Sequence, residues 1–113
     1  MNVPETVEGV LLVFFVREKD RVHGEPAFEW LLQTGRSLGL PGGSAFRAVA
    51  GFGRHRRLHE DRFFELAGDM AIQVEFVLSR EEADRLLAKT GEAGAAFAFM
   101  EMPCRHGVTA GPA

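Results

Sequence analysis

Val10-Leu11-Leu12-Val13-Phe14-Phe15-Val16 is the longest uninterrupted apolar run in the chain, and its reading decides the fold. Seven residues are far too few to cross a bilayer as a helix, which takes about 20. Valines and phenylalanines packed into so short a run predict a β-strand. Neither alternate set of positions carries a polar residue, so the strand is expected to be buried on both faces.

Working outward, Glu18 to Glu25 (EKDRVHGE) is turn chemistry, and Pro26 stands where a helix favours its first residue. Phe28, Leu31, Leu32, Gly35 and Leu38 recur at helical spacing, and Gly39 is placed to end that helix. Beyond the Leu40-Pro41-Gly42-Gly43 turn, Ser44 to Phe52 alternates as a second strand. Phe46, Ala48, Ala50 and Phe52 form one side of it, and Ala45, Arg47, Val49 and Gly51 the other. A polar stretch leads to a third strand, Met70 to Leu78, with Met70, Ile72, Val74, Phe76 and Leu78 on one face. Ser79 and Glu82 have the spacing of a capping box, which opens a second helix with Ala83, Leu86 and Leu87 as its stripe and Gly91 as its stop. Ala95 to Cys104 reads as the fourth strand.

The order is βαββαβ, an α+β ferredoxin-like domain. Right-handed crossovers place both helices on one face of a four-stranded antiparallel sheet. Residues 9–106 form that domain, with 1–8 a loose lead-in and 107–113 a frayed tail. Helices can cover only one face, yet the first strand is apolar on both. The fourth offers Phe97 and Phe99 to one face and Met100 and Met102 to the other. The uncovered face is therefore expected to meet another subunit.

Composition narrows the classes of function. At 113 residues with 46% apolar side chains, the chain has the makings of one core without disulfide or metal staples. The single Cys104 excludes an intramolecular disulfide and suits a reducing compartment. The acidic MNVPETVEG lacks the features of a signal peptide, so the expected location is cytoplasmic, without membrane insertion. A net charge of −3 argues against nucleic acid as a partner. Ten Phe and no Tyr leave no phenol for modification or for acid–base work.

The stretch from Gly39 to Asp61, GLPGGSAFRAVAGFGRHRRLHED, contains Gly51-Phe52-Gly53-Arg54 followed by His59. This resembles the PII signalling family, in which a valine-rich strand runs into Gly-Phe-Gly-Arg with a His beyond it. Thr90-Gly91-Glu92-Ala93-Gly94 is similar to the Thr-Gly-x-x-Gly of that family's second ligand loop. The PII-like branch called domain of unknown function 190 is the nearer match, through Glu18, Asp20, Gly24 and Pro26, with Arg47 before the Gly-Phe-Gly and His59 after it. The resemblance covers residues 9 to about 104. It implies a homotrimer with ligand clefts between subunits, an adenine nucleotide as ligand class, and a protein or transporter partner. It assigns ligand contacts to Glu18, Asp20, Arg47, Gly51, Phe52, Gly53, Arg54, His59, Thr90, Gly91 and Gly94.

Two departures stand out. The stretch between strands two and three, Gly53 to Asp69, is shorter than the effector loop of standard PII proteins and has no Tyr to uridylylate. The Asp-Gly-Lys that follows the second loop in the family is replaced by Ala95-Ala96-Phe97, so its phosphate-holding lysine is absent.

Each motif also has a plainer reading. Gly51-Phe52-Gly53 is equally the end of a strand, and Arg54, Arg56, Arg57 and Arg62 with Glu60 and Asp61 equally a solvated charge cluster. Arg47 and Glu75 are expected to pair across adjacent strands on one face, buried at a subunit interface. Glu18 and Asp20 suit a turn or a ligand hydroxyl. A second function class is a metal-binding trimer using His55, His59 and Glu60, with His23 or His106 approaching. A third is a small enzyme with Asp20, His59 or Cys104 in an interface cleft, although no catalytic motif is visible. Trp30 lies off the main stripe of the first helix and is a candidate subunit contact.

Overall fold

The computed structural model describes residues 2–51 and 70–112. The elements run β1 (Val7–Arg17), β2 (Arg21–Val22), β3 (Glu25–Pro26), α1 (Ala27–Ser37), β4 (Ser44–Arg47), β5 (Ala71–Leu78), α2 (Arg80–Glu92) and β6 (Ala98–His106). The upper end of the sheet is the end where β1 terminates.

β4, β5, β1 and β6 form one antiparallel sheet in that order, with β1 inside it. This is the expected ferredoxin-like arrangement. α1 packs over β5 and α2 over β1, both on the face that carries Leu12, Phe14, Val16, Val74, Phe76 and Leu78. Leu12 and Val74 are completely buried there, as are Leu31 of α1 and Leu86 of α2. The Phe14 ring is the hub of this core. It meets Phe76 and Phe97 edge-on, each at a centroid distance of 6.2 Å.

Trp30, read as lying off the apolar stripe, also meets the core. Its ring is half-buried within its own chain and packs on Phe97 at 6.4 Å.

The two helices end alike, and one of them ends later than expected. α2 passes through Gly91, and it is Gly94 that takes the left-handed conformation, φ +72°. Its N–H donates to the Gly91 carbonyl and that of Ala95 to the Thr90 carbonyl, the paired bonds of a Schellman cap. α1 closes the same way at Gly39. Because 93–97 finish this exit, β6 starts at Ala98 rather than Ala95. It then runs on to His106, opposite Val7. β1 thus reaches back into the stretch read as lead-in. The Ser79–Glu82 capping box is present in both directions, Glu82 N–H to Ser79 Oγ at 3.1 Å and Ser79 N–H to Glu82 Oε1 at 2.8 Å.

β4 is shorter than the expected Ser44–Phe52 strand. Only Ala48 extends it, its N–H donating to the Ala71 carbonyl at 2.9 Å. β5 begins at Ala71, so no ladder partner remains beyond Ala48 among the described residues, and Val49 is 90% exposed. The pairing also corrects the expected Arg47–Glu75 contact. Arg47 lies opposite Ile72 on the helix-covered face, whereas Glu75 lies opposite Ser44 and Val13 on the other.

Among the described residues that other face has no helix over it. Leu11, Val13, Phe15, Phe46, Val77, Met100 and Met102 line it, with Phe46 55% and Met102 46% exposed. The expectation of an uncovered apolar face is met.

Two tight fits and one ion-pair cluster hold the frame at its lower end. The Phe76 ring occupies a slot between Gly35 and Gly43, where a Cβ would fall 2.9 Å and 2.5 Å from Phe76 Cε1. Since Phe14 and the core hold that ring, Gly43→Ala is expected to destabilise the fold by about 1–3 kcal/mol. Gly42→Ala, with open space around it, is expected to be close to neutral. Urea unfolding of both variants checks this.

Arg80 at the start of α2 grips Glu101 of β6 with Nη1 at 3.0 Å and Nη2 at 2.5 Å, and also bonds Asp84. The hydrogen bonds from Arg80 hold the Glu101 carboxyl below the usual carboxylate range. A depressed folded-state pKa adds stability at neutral pH. That stability is lost as pH falls from the ordinary carboxylate pKa through the folded one. Glu101→Gln is therefore expected to be slightly less stable than wild type at neutral pH. The gap should close in acid, as read from melting temperatures across pH.

Candidate functional site

At the upper end of the sheet β1 and β4 terminate, β5 and β6 begin, and α2 finishes. Glu18, Asp20, Arg47, Thr90, Gly91 and Gly94 all belong to this end, and Gly51, three residues beyond Ala48, has open space around it. The proposed contacts Phe52, Gly53, Arg54 and His59, and the candidate metal ligands His55, His59 and Glu60, lie outside the described residues.

Glu18 and Arg47 form the best-defined cluster. Glu18 follows β1, and its N–H continues the ladder by donating to the Met70 carbonyl at 2.9 Å. Its side chain turns back, and Oε1 accepts the Met70 N–H at 3.2 Å. Arg47, at the end of β4, reaches across β5 on the helix-covered face. It donates to the same Oε1 from Nε at 2.7 Å and from Nη2 at 2.5 Å. The Glu18 side chain is 20% exposed and that of Arg47 61% exposed, so the guanidinium is open to solvent while the carboxylate is mostly enclosed. The partner that sequence reasoning missed is Met70, which contributes only main-chain groups.

Asp20 serves the turn. Its Oδ2 accepts the Arg17 N–H at 2.9 Å and its carbonyl the Ala27 N–H at 2.8 Å, which seats the start of α1. Arg21 Nη1 closes the same turn onto the Glu18 and Asp20 carbonyls at 3.0 and 3.3 Å.

The Thr90–Gly94 motif lies at the opposite margin of this end, before β6. Thr90 is buried, 7% exposed, and its Oγ1 donates to the Leu87 carbonyl at 2.7 Å. Gly91 and Gly94 face open space. β5 and β1 stand between this motif and Arg47, so one chain carries the two halves at separate edges.

Two depressions mark the uncovered face. One, of about 270 Å³, sits toward the upper end, lined by Phe15, Phe46, Arg47, Ala48, Ala71, Ile72 and Gln73. The other, about 430 Å³, lies toward the lower end, with Glu75 and His106 at an apolar wall of Leu11, Phe46 and Val77.

Among the described residues, His23, His106, Asp20 and Cys104 lie apart within one chain. His106 pairs with Val7 at the lower end, whereas His23 sits in the β2–β3 hairpin beyond the upper end of β1. Cys104, half-buried, lies opposite Gly9, far along β1 from Asp20. Among the described residues no three His, Cys, Asp or Glu side chains group as a metal site, and no helix is long and apolar enough to cross a membrane.

Comparison with known proteins agrees with this architecture. The family model for DUF190, described as an uncharacterised ACR, matches residues 9–98. A UPF0166 protein of Aquifex aeolicus is 31% identical over 81 residues, 72% of this chain and 77% of its own length. CPII from Thiomonas intermedia K12 is a nitrogen regulatory PII-like protein solved with ADP, AMP and bicarbonate. It superposes with a TM-score of 0.56 at 15% identity, over 92% of this chain and 98% of its own. A protein from Thermus thermophilus described as a PII-like signalling protein gives 0.54 at 16% identity, over 90% of each chain. The structural likenesses show a shared fold over nearly the whole chain, and the family match places the chain in the DUF190 family.

Proposed function

We propose that this chain is a PII-like sensor. It binds a small anionic ligand, an adenine nucleotide, in clefts between the subunits of a cytoplasmic homotrimer, and signals to a protein partner rather than catalysing a reaction. The observation that carries the reading is the apolar hollow of about 270 Å³ on the uncovered face, lined in part by Arg47 of the edge strand β4, whose solvent-open guanidinium lies on the other side of that strand. Phe15 and Phe46 offer a surface for a flat aromatic base, and Arg47, reached around the β4 edge, offers a planar fork for phosphate oxygens. The hollow is small for a nucleotide, whose pockets run from about 300 Å³ upward. A second subunit laid against the same apolar face would supply the missing wall. The separation of the Arg47 and Thr90–Gly94 halves within one chain favours the same conclusion, since a neighbour's motif would meet them across an interface. The ADP and AMP of the Thiomonas protein support the ligand class.

Calorimetry with ADP and AMP tests the ligand. Wild-type protein is expected to bind at least one of them, and Arg47→Ala to weaken that binding by about 1–3 kcal/mol, the worth of a charge-assisted bond. Affinity is expected to fall with added salt, because the guanidinium is solvent-open. Failure of both nucleotides to bind would sink the ligand assignment. Light scattering tests the assembly, with an expected mass three times that of the chain. A stable monomer at micromolar concentration would overturn it.

A further inference from the structure

We infer that Glu18 is a positioning residue for the anion site and not a ligand contact. One carboxylate oxygen aims the Arg47 guanidinium and pins the Met70 main chain, fixing the last residue of β4 relative to the first described residue before β5. The inference rests on the reading of Arg47 as an anion-binding residue and adds what prepares it.

The geometry is economical. Oε1 takes Nε and Nη2 of Arg47 side-on at 2.7 and 2.5 Å, which directs the Nη1 end of the fork away from the carboxylate. An exposed arginine otherwise samples many rotamers, and an incoming anion must freeze it. Glu18 does so beforehand. The same Oε1 accepts the N–H of Met70, a residue only 4% exposed, whose carbonyl is held by the Glu18 N–H. Glu18 therefore engages both main-chain groups of Met70. It is itself held by the β1 ladder below it and by the Asp20 turn above. A carboxylate committed in this way repels an anion while orienting the cation that attracts it. The two effects separate chemically, because an amide oxygen keeps the hydrogen bonds and drops the charge.

The test compares Glu18→Gln, Glu18→Ala, Arg47→Ala and the double alanine variant, with ADP as the calorimetric probe. Glu18→Ala is expected to weaken ADP about tenfold, and Glu18→Gln to stay within about threefold of wild type. The double variant should bind hardly more weakly than Arg47→Ala alone, since Glu18 acts through Arg47. Independently of any ligand, amide exchange at Met70, read by NMR, should speed up in Glu18→Ala and not in Glu18→Gln. Wild-type ADP affinity in Glu18→Ala, additive losses in the double variant, or an equal loss in Glu18→Gln and Glu18→Ala would each overturn the inference. If wild type fails to bind ADP, or Arg47→Ala binds it normally, the site reading itself has failed. The Met70 exchange then decides the bracket alone, and an unchanged rate in Glu18→Ala would overturn it.

Discussion

β1 has apolar side chains on both sides, and the remaining structure is arranged around that constraint. Leu12, Phe14 and Val16 are met by two helices and by the flanking strands β5 and β6. Among the described residues, Leu11, Val13 and Phe15 are met by nothing beyond their own sheet, although Val13, between Glu75 and Met100, is already 1% exposed. Burying each further apolar side chain on that face is worth about 1.5–3 kcal/mol. The free energy available to a covering surface is therefore large, and the chain supplies no third layer among its described residues. Glu75, half-buried among these side chains, is the one carboxylate on the face among the described residues and limits how another surface can be laid on it.

How far the sequence could be read follows from what kind of signal each feature leaves. Side-chain patterns were legible: the unbroken run of β1, the alternation of β5, the capping box at Ser79 and Glu82, and from these the element order and sheet. Choices between similar residues were not. Gly91 and Gly94 are both able to end a helix, and only the hydrogen bonds from Gly94 and Ala95 show which one does. In β4 the alternation sorts residues into two sets, but alanines at 45, 48 and 50 leave both sets weakly apolar. The sequence alone did not show that Arg47 belongs with Ile72.

The candidate site was partly legible for the same reason. Glu18, Asp20 and Arg47 stood out as charged residues at expected positions, and the fold gathers them at one end. The contacts they make were not visible, because the central one is with the backbone of Met70, and a main-chain acceptor or donor has no signature in side-chain identity. The Thr90–Gly94 motif is the reverse case. The residues were found, and the structure shows that they complete a helix cap.

The interior position of β1 also sets a schedule for folding. Val10 pairs with Leu78 on one side and with Pro103 on the other, so the first long strand of the chain has both neighbours far away in sequence. During synthesis its seven apolar residues leave the ribosome long before either partner exists, and the sheet cannot close until nearly the whole chain is available. Contacts of such long range slow folding and lengthen the time for which an aggregation-prone segment is unpaired. The run that makes the mature sheet secure is thus the nascent chain's most vulnerable stretch, and the one a chaperone would be expected to shelter.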